Sequence, residues 1–347
     1  MRLFFLLLLF FFTHLLNASD WKVNTGAAPF GVAVDSERDK IYFGAADSHL
    51  YCVNNKGCLE WKRHVKTGPY KIAVDSKTGN VFCRGQNCTK YLCFNTKGEL
   101  IQEFDTENMH GCDIDYYSNR VYVISTSHPV TNEHPGYLYC FTTEGEFLWK
   151  YKVSKTPGWG LAVDPIRGCI YITTNGNKLI ALKYDGEKQW ERDLSVSEAI
   201  KVDLSIGRIF CGSRDGSIYC FDANGHECWR YKVGAIITGL DLDESRSQLY
   251  FAAEDGYLYC FHVCGWFLGR YEIKGSRWRD VAVHPKTGQV YCGSIDGYLY
   301  CIPPYSVDHS PAVDQDLARW EKENASLKQR VKLLEEIIGV PCEVPEN

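Results

Sequence analysis

Methionine is nearly missing, with two residues in 347. Beyond residue 20 no stretch reaches the 18 apolar residues of a membrane-spanning helix. Neither sign of charge dominates, and a net charge of −5 excludes the strongly basic surface of a nucleic-acid binder. Hydrophobic content of 45% excludes a disordered chain. Up to about residue 314 there is no helix-length periodicity either. The 16 cysteines include no Cys-Cys dipeptide and no paired Cys-x₂-Cys knuckles, so no metal site is expected. Aromatics, at 14%, are abundant and suit many short strands.

The first residues, MRLFFLLLLFFFTHLLNASD, place one Arg before an apolar run from Leu3 to Phe12 and small residues at Ala18 and Ser19. That is the layout of a secretory signal peptide over 1–19, with no membrane insertion expected once it is removed. No retention signal of the Lys-Asp-Glu-Leu type ends the chain, so the expected location is secreted and extracellular. Disulfides are then permissible, and Asn87 and Asn324 head glycosylation sequons.

A period of about forty residues is written seven times. The anchors Asp35, Asp75, Asp115, Asp164, Asp203, Asp243 and His284 follow one another at intervals of 40, 40, 49, 39, 40 and 41 residues. After each comes an apolar run (IYF, VFC, VYV, IYI, IFC, LYF, VYC), then a turn, often Asp-Gly. A third run follows (LYC, YLC, LYC, LIA, IYC, LYC, LYC), and a fourth that often holds Trp, as at Trp61, Trp149, Trp190 and Trp229. Four short strands per period signal a β-propeller blade. The seventh repeat stops at Pro303-Pro304 without a fourth strand, whereas Trp21-Lys22-Val23 resembles the fourth strands elsewhere. The expected fold is all-β: a seven-bladed propeller over 20–302, closed by the N-terminal segment pairing with the last blade.

The segments VYCGS-x-DG-YLYC at 290–301, IFCGSRDGSIYCFDANGHECW at 209–229 and IYFGAADSHLYCVNNKGCLEW at 41–61 resemble PQQ-like repeats of the quinoprotein alcohol-dehydrogenase-like superfamily. The resemblance covers residues 21–302 and implies the propeller fold. It includes non-catalytic members, such as the bacterial outer-membrane assembly propeller. Catalytic quinoproteins generally have eight blades, sandwich the quinone between a tryptophan and a vicinal disulfide, and hold Ca²⁺ with Glu, Asn and Asp. Those features are not found here, so the resemblance implies the non-catalytic type, without a cofactor.

Six of the seven third strands carry Cys at one position, and second strands add Cys83, Cys211 and Cys292. Two-residue Asp-Gly turns would set Cys211 opposite Cys220 and Cys292 opposite Cys301, at non-hydrogen-bonded sites where strands approach most closely. Cys83 and Cys93 are placed alike with one extra residue. Buried thiols acting as small hydrophobes are the other reading of all six.

Candidate ligand residues lie five positions before each anchor: Phe30, Tyr70, His110, Trp159, Glu198, Thr238 and Arg279. Met109, Lys71, Trp278 and Asp280 lie beside them. These positions differ from blade to blade, as positions do where packing does not decide the residue. Ringed around a channel mouth, they would suit a small polar or sugar-like ligand. Alternatively the aromatics plug the channel. In an enzyme, Glu198 and His110 would serve as acid and base beside Arg279.

A polar linker over 303–314 leads to a period of 3.5 over 315–339, followed by a tail at 340–347. Leu317, Asn324, Val331 and Ile338 take heptad position a, and Trp320, Leu327 and Leu334 take d. That pattern is a short leucine-zipper-like helix for a parallel homodimer, and Cys342 is placed for an interchain disulfide. A glycan on Asn324 would block the zipper. The function expected is a secreted scaffold that binds an extracellular protein or glycan, the alternative being an extracellular oxidoreductase or hydrolase at the channel mouth.

Overall fold

The computed structural model describes residues 21–305 apart from 67, 70, 86–89, 106–108, 116, 126–135, 155–157 and 273–276. Among the described residues the strands form seven four-stranded antiparallel sheets. Their first strands are Pro29–Asp35, Ile72–Asp75, Met109–Asp115, Gly158–Asp164, Val196–Asp203, Ile237–Asp243 and Trp278–Val283, which define blades 1 to 7. Each first strand touches those of the neighbouring blades, so these strands ring the axis. In blade 7 the outer strand is Trp21–Asn24, with Trp21 opposite Cys301 and Val23 opposite Leu299. The N-terminal segment thus closes the ring, and the otherwise open join between first and last blades is covered.

The repeated cysteine has a packing reason. On six of the seven third strands it stands between an aromatic of the second strand and, in most blades, a tryptophan of the fourth. Cys52 is opposite both Tyr42 and Trp61, Cys140 opposite Tyr122 and Trp149, and Cys301 opposite Tyr291 and Trp21. Blade 4 uses Ala181 between Tyr171 and Trp190. Only a small side chain lets the two flanking rings meet: their centroids are 5.8 Å apart for Tyr42–Trp61, 5.9 Å for Tyr171–Trp190 and 5.7 Å for Tyr291–Trp21.

The register corrects the disulfide expectation. Gly212 pairs with Ile218, which leaves three residues, Arg214 to Gly216, in the hairpin loop. Gly216 at φ +84° supplies the left-handed residue that such a loop needs. One residue more in the loop moves the register by one, and that turns a side chain to the other face. Cys211 therefore stands opposite Tyr219, and Cys220 opposite Phe210. Likewise Cys292 faces Tyr300 while Cys301 faces Tyr291, and Cys83 faces Leu92 while Cys93 faces Phe82. All six are fully buried, and none stands opposite the cysteine expected to pair with it.

Two devices recur at the junctions between neighbouring blades. At the outer rim, indole N–H groups donate to the third-to-fourth-strand turn of the following blade: Trp61 to the Thr96 carbonyl at 3.1 Å, Trp190 to Ala223 at 2.8 Å and Trp229 to Val263 at 3.0 Å. The turn must present glycine there. Gly98 has φ +74°, and a Cβ on it would stand 2.7 Å from the Trp61 ring. At the opposite end of the inner strands, Asp35 Oδ1 accepts from the backbone N–H groups of Glu37 and Arg38, while Arg38 reaches on to the Ser76 carbonyl at 3.1 Å. Arg167 and Arg246 repeat the strut on Leu204 and Thr287. The anchor aspartates are thus turn caps, as expected of Asp at that position. His284 does the same work in blade 7. Its Nδ1 accepts from Lys286 N–H at 3.2 Å, so its proton sits on Nε2, which donates to Asp39 at 3.1 Å.

The expected signal segment 1–19, the expected sequon at Asn87 and everything from 306 onward lie outside the described residues. That includes the zipper positions Leu317, Trp320, Asn324, Leu327, Val331, Leu334 and Ile338, and Cys342.

Candidate functional site: the central channel and its mouth

Inner strands expose one backbone edge to the axis, and its N–H groups need acceptors. Three carboxylates supply them across blade boundaries. Asp113 of blade 3 accepts from Val163 N–H at 2.9 Å, Asp241 of blade 6 from Val283 N–H at 2.8 Å, and Asp280 of blade 7 from Val32 N–H at 3.3 Å. Asp113 and Asp241 lie two residues before their anchors and Asp280 lies four before. Most other blades have Gly or Ala at these positions, such as Gly31, Gly160, Ala33 and Ala162.

Two lysines balance part of this charge. Lys201 pairs with Asp241 at 2.8 Å, and Lys71 of blade 2 reaches Asp280 of blade 7 at 3.4 Å. Blade 1 separates those two blades, so the second pair bridges the channel. Asp241 raises the pKa of Lys201 against the cost of partial desolvation, and Asp113 adds to the rise. Burial would pull Lys71 down, but Asp280 and Glu198 outweigh it and raise it. Burial raises Asp280 to about 6, with Lys71 opposing and Glu198 reinforcing. Burial also raises Asp113, against the pull of Lys201 and two backbone N–H groups.

The expected mouth residues separate into groups. Glu198 acts on Lys71 and Asp280. Arg279 is exposed, and its guanidinium lies 5.6 Å from the Phe30 ring centroid. Trp159 carries Arg214, from the second-to-third-strand hairpin of blade 5, only 3.8 Å above its ring. Thr238 donates to the Ala252 carbonyl at 3.4 Å. Tyr70 and the side chain of His110 lie outside the described residues. Sequence reasoning missed Asp113, Lys201, Asp241 and Arg214. The signal for the first three was a charge standing where other blades keep Gly or Ala.

Among the described residues no group of three or more His, Cys, Asp or Glu is arranged to hold a metal ion. Nor do the channel groups fit an anionic quinone. Asp113, Glu198, Asp241 and Asp280 outnumber Lys71 and Lys201, and would repel a carboxylated ring system. A cavity of about 330 Å³ opens elsewhere, between the outer strands of blades 1 and 2, beside Arg63, His64, Leu92, Leu100 and Glu103.

Comparison with known proteins gives one family match. The model of the outer membrane protein assembly factor BamB matches residues 134–292, and that match together with the seven blades fits a PQQ-like repeat propeller. No curated protein matches the chain.

Proposed function

We propose that this PQQ-like repeat propeller is a secreted binding module that presents its channel mouth to an extracellular protein or glycan, in two copies joined by the C-terminal helix. The observation that carries the reading is the pairing of cations with aromatic faces at the mouth, Arg214 on Trp159 and Arg279 by Phe30. Such pairs offer flat apolar faces beside fixed donors, the chemistry that carbohydrate rings and carboxylated side chains bind. Deeper in the channel the charges are engaged in holding the ring, through backbone N–H groups and ion pairs. Two mouths on one stalk would add avidity on a repetitive target.

The full chain, immobilised and probed with polysaccharides and matrix proteins, tests the reading. Retention should fall at least tenfold in Trp159→Ala and in Arg279→Ala, and stay unchanged in Leu59→Ser, an exposed change on the outer edge of blade 1. Equal retention by all three variants refutes it.

A second reading, an extracellular enzyme at the mouth, is favoured by one observation. Asp280, with a pKa near 6 beside Lys71 and Glu198, is poised to exchange a proton near neutral pH. Turnover of a substrate by the wild type, lost in Asp280→Asn, would establish it.

A further inference from the structure

Cys220 has a thiol neighbour, and it comes from the adjoining strand. In blade 5 the third and fourth strands pair Cys220 with Trp229 and Phe221 with Glu227, which leaves Cys228 as the extra residue of a β-bulge. A bulge re-aims the side chain it carries. In blade 1 the equivalent bulged residue, Glu60, lies 3.8 Å from the third-strand Cys52, and the same register sets the Cys228 side chain beside Cys220. Cys220 is fully buried between Phe210 and Trp229, whereas Cys228 is exposed.

The same bulge recurs in other blades with other residues, so the blades serve as controls for one another. In blade 1 the extra residue is Glu60, and it pairs with Lys40, the first residue of the second strand, at 2.7 Å. In blade 5 Arg208 stands where blade 1 has Lys40, and Cys228 where it has Glu60. A cation that elsewhere meets a carboxylate here meets sulfur. Arg208 also points Nη1 at the Cys264 sulfur of blade 6, 3.8 Å away, and at the Val263 carbonyl at 3.4 Å. Asp222 and His226, joined at 3.0 Å, flank Cys228 on its own hairpin.

We propose that Cys228 and Cys220 form a thiol–disulfide modification site, in which exposed Cys228 attacks small disulfides of the glutathione type and buried Cys220 resolves the adduct. The Cys228 thiolate attacks one sulfur of the external disulfide, forming a mixed disulfide and expelling one thiolate. The Cys220 thiol then gives its proton to that thiolate and its sulfur attacks Cys228, which expels the second thiolate. Two protein thiols are oxidised by two electrons, and one external disulfide is reduced to two thiols. The environment favours the first step. The hydrogen bond from Cys220 holds the Cys228 thiol down to about 7, with burial opposing and Arg208 assisting, while burial keeps Cys220 protonated until it is called on.

The test uses the full chain in native buffer with oxidised glutathione, followed by peptide mapping without reduction. Two variants carry residues that blade 4 already accommodates at the equivalent positions. Ala181 stands where Cys220 does, and Gln189 where Cys228 does, so Cys220→Ala and Cys228→Gln should fold. Wild type should yield a Cys220–Cys228 linked peptide pair, and Cys220→Ala a glutathione adduct that persists on Cys228. Cys228→Gln should give no disulfide at Cys220. Alkylation of Cys228 should show a midpoint near pH 7, shifted upward in Arg208→Met. Pairing of Cys228 with Cys264, an adduct left unresolved in wild type, or reaction no faster than at exposed Cys58 overturns the proposal.

Discussion

The ring of Tyr305 occupies the space over Gly269 that a tryptophan fills in other blades. A Cβ on Gly269 would meet that ring at 2.3 Å. Gly269 lies opposite Cys260, the position held by Trp61 or Trp229 in blades 1 and 5. The chain leaving the last blade thus turns back to complete blade 6. Its backbone N–H donates to the Tyr250 hydroxyl at 2.8 Å, and its own hydroxyl donates to the Leu268 carbonyl at 2.5 Å. Tyr305→Ala should cost about 3 kcal/mol through the lost ring, a fall in Tm of roughly 6 °C. Tyr305→Phe, which removes one hydrogen bond, should cost about 1 kcal/mol. A thermal melt of Tyr305→Ala that overlays wild type would refute the assignment.

The third-strand cysteines should tolerate only small replacements. Cys301→Ala copies what blade 4 has at Ala181 and should change stability by less than about 1 kcal/mol. Cys301→Leu forces Trp21 away from Tyr291 and should cost about 3 kcal/mol. It should also loosen the N-terminal strand, which limited proteolysis near Asn24 reads directly. If Leu is accepted as well as Ala, the spacer account fails.

Asp280 makes stability depend on pH in an unusual direction. Its carboxyl titrates near 6 in the folded protein, above the ordinary value of about 3.9 in the unfolded chain. Between those values the folded state holds more protons, so stability is greatest below pH 4 and falls as pH rises through 6. The contribution is about 2–3 kcal/mol. Urea midpoints for wild type should decline over this window, and Asp280→Asn should flatten the decline. Parallel curves for the two proteins would show that another group is responsible.

Removing residues 315–347 should convert a dimer into a monomer with an unchanged propeller melt. Sedimentation equilibrium separates the species. A full chain that sediments as a monomer at micromolar concentration disposes of the zipper.

The blade count and the closure were legible because strand runs, turns and fourth-strand tryptophans recur together, and Trp21 fits a gap that the seventh repeat leaves. Register was not legible, because Asp215-Gly216 serves equally in a two-residue turn and at the end of a three-residue loop. That single residue decides whether Cys211 meets Cys220. The channel groups were partly legible. Charged Asp113, Lys201 and Asp241 stand out against glycine and alanine in sister blades, but that they would cap a neighbouring blade's backbone depends on how close the inner strands lie around the ring. The Cys220–Cys228 contact was hidden by the bulge, which no periodic count reveals.

Closure by Trp21–Asn24 also dictates an order of events during synthesis. Of the propeller's described strands, the first to emerge has no partner in the sheet until Tyr298–Ile302 has been made. Until then the incomplete blade has an open edge, and Trp21 cannot take its place against Tyr291. The nascent propeller therefore remains an open arc until its seventh blade is made, most exposed to edge-to-edge pairing with another chain just before the ring closes.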